Sequence, residues 1–408
     1  MTGEVPSFRQ PQPKVCRVVT IPWIFATWLR RQIRVVRDSG IDLTLVASPG
    51  AELDLLARDH AFRCHPVPIR RGISPTHDLV ALLRLVRFFA GERFDIVHTS
   101  TPKAGLLGAV AAKLARVPIR IHTYTGQPWV VLHGALRQTV RFGDRVIATL
   151  DTRCYADSMS QREFLVREGV VADAKLAVLG DGSIGGVDLK RFDAEVWRTQ
   201  QGTATRAALG ISDRARVIVF VGRVTCDKGI VELVSAFESL DRGGAGIDLV
   251  LVGPMEPERD PVPRGVVARI AANPRIHLVG FTDQPEKYLG IADVFCLPSY
   301  REGFGTAVIE AAAMGVPAVV TSIIGLVDAV VAGETGLFVP PRDGRALASA
   351  LSVMLADAKT ARRFGEAARR RVVRLFDAER VDSLVVDEYR RLAEESQSAP
   401  EAKLRRHS

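Results

Sequence analysis

Ser299-Tyr300-Arg301-Glu302-Gly303-Phe304-Gly305-Thr306-Ala307-Val308-Ile309-Glu310 is the stretch on which the reading of this chain turns. It follows an apolar run, residues 292–298, that reads as a buried strand. Residues 307–314 after it read as a helix, small and aliphatic, with no glycine before Gly315 and no proline before Pro317. A loop with two glycines therefore joins a strand end to a helix start. Free backbone N–H groups at such a place point toward anything anionic. Gly303 and Gly305 let the backbone approach a ligand where a Cβ would block it. Two carboxylates, Glu302 and Glu310, flank the loop. Beside phosphates a carboxylate is unfavourable by charge alone, so these two suit hydroxyls, and sugar hydroxyls donate well to a carboxylate. Phosphate, sugar and ribose together suggest a nucleotide sugar.

A second loop has the complementary charge. Residues 216–221 form a near-continuous apolar run, as expected of a parallel strand covered on both faces. Gly222-Arg223-Val224-Thr225-Cys226-Asp227-Lys228-Gly229-Ile230 follows, and then a helical pattern over 231–239. The loop presents one guanidinium and one ammonium at a strand end beside a helix start. That pair is suited to a diphosphate, because Arg can bind two oxygens at once and Lys is a compact point charge.

Length and composition bound the rest. At 408 residues the chain exceeds what one hydrophobic core supports, and 47% hydrophobic with 25% charged residues is an ordinary globular composition. Five scattered cysteines with no C-x-x-C pair disfavour a disulfide framework or a zinc site and fit a reducing compartment. The polar, proline-bearing start has no apolar core of a signal peptide, and the longest apolar stretch, 307–332, is broken by Glu310, Pro317 and Asp328, so no membrane span is expected. Residues 1–200 hold 28 Lys and Arg against 19 Asp and Glu, while the remainder holds 27 of each, so the whole net charge of +9 lies in the first half. That half favours an anionic partner, or is simply a soluble basic face.

Strand and helix patterns alternate through the first half. Strands are expected at 15–21, 43–47, 95–98, 119–123 and 145–148, with helices at 22–37, 79–89 and 101–115, the βαβ rhythm of a parallel sheet. The first strand is followed by Ile21-Pro22-Trp23 and not by G-x-G-x-x-G, which disfavours a dinucleotide oxidoreductase. The helices near residues 30–37 and 82–89 are basic and amphipathic. They pack on the sheet with a solvated arginine face, or dock on anionic lipid with Trp23, Phe25 and Trp28 at the interface.

Glu302-Gly303-Phe304-Gly305 with Glu310, followed by Met314-Gly315-Val316-Pro317-Ala318-Val319 and Gly333-Glu334-Thr335-Gly336-Leu337-Phe338-Val339, resembles the E-x7-E signature of the retaining glycosyltransferases of family 4. The 222–230 loop is similar to that family's G-R-x5-K-G phosphate loop, and residues 276–283 to the segment whose backbone faces the nucleobase near Phe281. Three stretches of the first half, 98–105, 120–126 and 180–188, resemble the branch that builds lipid-linked bacterial glycans. Many members carry a histidine just before the glycine of the second stretch. Here that position is Thr125, and His122 lies three residues earlier, on the opposite side of a strand.

The resemblance implies an α/β protein of the GT-B type, with two Rossmann-like domains, parallel sheets facing across a cleft, and a C-terminal helix crossing back. The expected limits are a disordered 1–14, an acceptor-side domain 15–195, a nucleotide-sugar domain 196–380, the crossing helix 381–395 and a disordered tail 396–408. It implies that Arg223 and Lys228 hold the diphosphate and stabilise its departure, with Glu302 orienting the sugar as the third catalytic residue. Phe281, Gly303, Phe304, Gly305, Thr306 and Glu310 complete the donor site, and His98, Lys103, His122, Thr125 and Gly126 form the acceptor side. No metal and no cofactor are expected, because two cations and a helix start can neutralise the leaving group. The implied partners are a nucleotide-sugar donor, a lipid-linked glycan acceptor and an anionic membrane surface, with no nucleic acid, and the implied place is cytoplasmic, peripheral on the inner face of the cell membrane. A nucleotide-sugar epimerase of the same fold, or a non-catalytic nucleotide-sugar-binding protein, stays open at this point.

Overall fold

The computed structural model describes residues 12–59, 61–241, 246–258 and 260–404. Contacts divide the chain into two units. The first holds the described residues through Thr123, then Phe142–Tyr155 and everything from Asp382 onward; the second holds Tyr124–Arg141 and Ala156–Val381.

The first unit is built on a parallel sheet of β1 (Lys14–Val18), β2 (Asp42–Ala47), β3 (Arg63–Pro66), β4 (Ile96–Ser100) and β5 (Ile119–Tyr124), ordered β3-β2-β1-β4-β5, with β6 (Arg153–Ala156) next. β1, β2, β4 and β5 are largely buried on both faces, whereas the edge strand β3 is partly exposed. Residues 145–148, expected to be a strand, lie instead inside the helix Gly134–Leu150. Its buried residues, Asp144, Ile147 and Ala148, fall at helical spacing and override the β-branched composition. The expected helix 22–37 is two helices, Trp23–Ala26 and Arg30–Asp38.

The last helix, Ala378–Leu404, runs on past residue 395, its expected end. From Asp382 onward it belongs to the first unit: Tyr389 bonds His98 at 2.6 Å, Arg31 pairs with Asp382, and Arg390 donates to the Ser39 carbonyl at 2.9 Å. Of the ends expected to lack structure, residues 1–11 and 405–408 lie outside the described residues.

The second unit carries β7 (Leu176–Val178) and a six-stranded parallel sheet of β8 (Arg216–Val221), β9 (Ile247–Val252), β10 (Ile276–Gly280), β11 (Val294–Leu297), β12 (Ala318–Thr321) and β13 (Gly336–Val339). Its order is β10-β9-β8-β11-β12-β13. Connections run outward to one side of β8 and then to the other side from β11. The reversal between β8 and β11 is a topological switch point, the place outside the strands' carboxyl ends where open α/β sheets bind ligands. The loops leaving these two strands are the two singled out in the sequence. The apolar core, with Phe220, Phe237, Phe295 and Ile309 fully buried, holds both strands and so fixes where the loops start.

Candidate active site

At the β8–β11 switch point the two loops are pressed together. A Cβ on Gly229, which has φ +73°, would lie 2.1 Å from the Pro298 carbonyl oxygen, so only glycine permits the approach. The Tyr300 N–H donates to the Asp227 carbonyl at 2.8 Å. Charges then pair crosswise between the loops. Lys228 Nζ is 2.5 Å from Glu302 Oε1, which also accepts the Ser299 hydroxyl at 2.8 Å. Arg301 Nη2 is 2.8 Å from Asp227 Oδ2, and Arg223 reaches the same oxygen at 3.4 Å while holding Glu256 at 2.8 Å. The Thr225 hydroxyl donates to the other Asp227 oxygen at 2.6 Å. Burial alone would raise the Asp227 carboxyl, but Arg301, Thr225, Arg223 and Lys228 outweigh it and hold it below its ordinary value.

Beyond this lattice the helix Thr306–Ala313 begins at Gly305, whose φ of +88° is a left-handed conformation that suits glycine. No side chain caps this helix start. Glu310 lies one turn inside. It is half-buried by surface, yet its carboxyl is withdrawn from water, and burial pushes its pKa up to about 7 against the pull of Arg191, with Glu286 adding to the rise. Arg191 is itself held by both Glu286 oxygens, at 3.0 and 2.8 Å, and bonds the Asp283 carbonyl. The turn after β10 is thereby tied to the surroundings of Glu310. Phe281 in that turn is 57% exposed.

The expected donor-side residues Arg223, Lys228, Glu302, Gly303, Gly305 and Thr306 are thus gathered around two adjoining loops. Phe304 is different: its ring is core, T-shaped against Phe376 at 5.0 Å, so only its backbone is left to face a ligand. Thr125 and Gly126 join the same unit, for a Cβ on Gly303 would lie 2.7 Å from the Thr125 carbonyl carbon.

His98, Lys103 and His122 lie in the first unit, each already engaged. His98 is buried between Tyr389 and the Thr123 hydroxyl at 2.8 Å, and burial with the nearby Arg17 charge pushes its pKa well below the usual value. His122 accepts or donates to the Thr99 hydroxyl at 2.8 Å, is pressed against Gly105, and is lowered to about 3 by burial. Lys103 is bound to Asp78 at 2.5 Å and the Gly72 carbonyl at 3.0 Å. At this unit's own switch point, between β1 and β4, Thr101 holds a strained φ of +74° and its hydroxyl meets that of Thr20 at 2.8 Å.

Sequence reasoning passed over Asp227 and Arg301. The signal was present as charge order, Asp-Lys in one loop against Arg-Glu in the other. Asp157, a buried carboxyl influenced by the Glu302 charge, gave no such signal.

Residues 202–371 match the model of glycosyl transferases group 1, and residues 25–182 match a glycosyl transferase 4-like domain. The capsular polysaccharide biosynthesis glycosyltransferase CapM of Staphylococcus aureus is 30% identical over 351 residues, 86% of this chain and 90% of that one. The chain belongs to glycosyltransferase family 4. Another relative, the Escherichia coli UDP-Gal:alpha-D-GlcNAc-diphosphoundecaprenol alpha-1,3-galactosyltransferase, is 27% identical over 303 residues, covering 72% of this chain and 75% of its own. Among solved structures, Anabaena HepE in complex with UDP-glucose superposes with a TM-score of 0.74 at 18% identity, covering 92% of this chain and 99% of that one. The likeness in fold is GT-B, and the chain is an enzyme of the glycosyltransferase class.

Proposed function

We propose that this glycosyltransferase moves a hexose from a nucleoside-diphosphate sugar to a polyprenyl-diphosphate-linked glycan in bacterial surface polysaccharide synthesis, with retention of anomeric configuration. The observation that carries the reading is the Lys228–Glu302 pair beside Arg223, at the mouth of an uncapped helix. Breaking the sugar–diphosphate bond builds negative charge on the leaving phosphate and positive charge on the anomeric carbon. Arg223, Lys228 and the amides at Gly305 and Thr306 oppose the first, the two cations exchanging their carboxylate partners for the phosphates. Glu302, once the diphosphate takes Lys228, is released to accept sugar hydroxyls and orient the anomeric carbon. Glu310 takes the ribose hydroxyls and the turn at Phe281 the base. The acceptor hydroxyl attacks from the face that the diphosphate leaves, and a phosphate oxygen takes its proton. No metal is required in this scheme, so a chelator leaves turnover unchanged.

The names of CapM and of the Escherichia coli transferase support the polysaccharide and lipid-linked parts of the reading. For the membrane surface the support is the helix Pro75–Glu92 of the first unit, which exposes Leu79, Val80 and Leu83 beside Arg84 and Arg87. The helix Arg30–Asp38 fits less well, since Arg31 is engaged by Asp382 and Phe25 just before it is fully buried. No helix among the described residues is long and apolar enough to cross a membrane. The test is incubation with UDP-, GDP- and ADP-hexoses, with and without a polyprenyl-diphosphate-linked sugar. Release of nucleoside diphosphate that depends on the lipid-linked acceptor is expected. Release with none of the donors overturns the reading.

A further inference from the structure

Beside the Glu302–Gly303 turn the second unit holds a cluster of buried polar side chains that this scheme leaves unused. Asp157 follows β6, and Gln161 sits in the first turn of the helix Met159–Arg167; both are buried. The Asp157 N–H donates to Gln161 Oε1 at 2.6 Å, and Gln161 Nε2 donates onward to Gln127 Oε1 at 3.3 Å. Gln127 comes two residues after Thr125, whose carbonyl touches Gly303. Gly182 closes another side, since a Cβ there would lie 2.7 Å from the Asp157 carbonyl oxygen and 3.1 Å from the Phe304 ring. Asp157 and the loop of Glu302 are therefore neighbours, and the Glu302 charge helps burial push the Asp157 carboxyl up to about 7, against the Ile184 N–H.

Two atoms of this cluster have no hydrogen-bond partner among the described residues: Asp157 Oδ1, an acceptor, and Gln127 Nε2, a donor. Both residues are more than nine-tenths buried, at 7% and 3% exposure. Orphaned buried polar atoms cost stability, and a pair of them linked by one glutamine is unfavourable unless something supplies the missing partners. A sugar hydroxyl donates and accepts at once, so a single hydroxyl matches an orphan acceptor and an orphan donor.

We propose that Gln127 and Asp157 form, with Glu302, a hydroxyl-binding subsite for a hexopyranosyl ring, so that the reacting sugars are held by two carboxyl groups and one amide. The inference rests on the transferase reading above and adds to it. The ring is either the hexose being transferred or the terminal sugar of the acceptor; the chemistry recognised is the same. The subsite does not reach the nucleoside diphosphate.

The test uses isosteric swaps in the full chain. Asp157→Asn keeps an oxygen for the Ile184 N–H and turns the orphan acceptor into a donor. Gln127→Glu keeps the oxygen bonded to Gln161 and turns the orphan donor into an acceptor. Titration with UDP, GDP and ADP and kinetics with their hexoses are compared with the unaltered protein. Each single swap should leave nucleoside-diphosphate affinity within about twofold and raise one KM about tenfold or more, the effect of one mismatched buried hydrogen bond. The double swap, which restores one donor and one acceptor, should recover part of that loss. A raised donor KM assigns the subsite to the transferred hexose, and a raised acceptor KM assigns it to the acceptor. If both swaps leave both KM values unchanged while the unaltered protein binds nucleoside diphosphate and turns over, the subsite is wrong and the transferase reading stands. If the unaltered protein binds no nucleoside diphosphate, the transferase reading fails, and this subsite with it. Should Asp157→Asn not fold, Gln127→Glu alone decides the matter by the same readouts.

Discussion

Lys228 and Glu302, from loops that follow different strands, meet at 2.5 Å. The cation proposed for the diphosphate and the carboxylate proposed for the sugar thus neutralise each other. Their substitutions should differ in sign. Glu302→Gln removes an internal competitor for Lys228, so nucleoside-diphosphate affinity should stay the same or rise, while transfer falls about 100-fold for loss of an orienting group. Lys228→Ala should weaken nucleoside-diphosphate binding about tenfold or more. Titration calorimetry beside initial rates checks both.

Asp227 holds Arg223 and Arg301 together. Asp227→Asn would leave two partly buried guanidinium groups without their shared carboxylate, and should cost about 3 kcal/mol of stability. Because the native carboxyl is held below its ordinary value of 3.8, its stabilising effect is fully present above that pH and is lost as pH falls through the lower native value. The variant should lose less stability on acidification than the unaltered protein, as read by denaturant melts between pH 5 and 3.

Glu310 behaves oppositely. Its native pKa is raised from 4.5 to about 7, so the folded state holds the proton more tightly than the unfolded chain. Stability should fall as pH climbs from about 4.5 to about 7, by on the order of 1–3 kcal/mol, and change no further from this group above that. Glu310→Gln should remove the fall, melting higher than the unaltered protein at pH 8, and should weaken nucleotide binding if the ribose sits there. Melting scans from pH 5 to 8, with and without nucleotide, separate the two effects.

How far all this was legible in the sequence depended on whether the cause was local. The loops at 222–230 and 299–310 could be read because strand, glycine and helix start are adjacent in the chain, and the sheet order then placed both at one switch point. The crosswise pairing of Asp227 with Arg301 needed two loops seventy-odd residues apart, and only their charge order hinted at it. Residues 145–148 misled because their β-branched composition hid a helical burial pattern that depends on what packs against it. His98 and His122 were readable as strand residues, but their partners Tyr389 and Thr99 come from the far end of the chain and from a neighbouring strand. The orphaned atoms of Gln127 and Asp157 had no local signature at all.

The exposed face of the helix Pro75–Glu92 should bind vesicles containing anionic lipid and release them as salt rises. At about 1 kcal/mol per basic residue, Arg84→Ala with Arg87→Ala should lower partitioning roughly 30-fold, and Leu83→Glu should lower it further. Flotation with neutral and anionic vesicles reads this directly, and equal binding of the variants would remove the face from consideration.

The proposed convergence of Arg223, Lys228 and the helix start at Gly305 on one pyrophosphate is tested most directly by calorimetric titration of nucleoside diphosphates against the matching monophosphates. The diphosphate of the preferred base should bind at least about tenfold more tightly than its monophosphate, and Arg223→Ala with Lys228→Ala should abolish that difference. A preference for the diphosphate that survives loss of both cations would contradict the account.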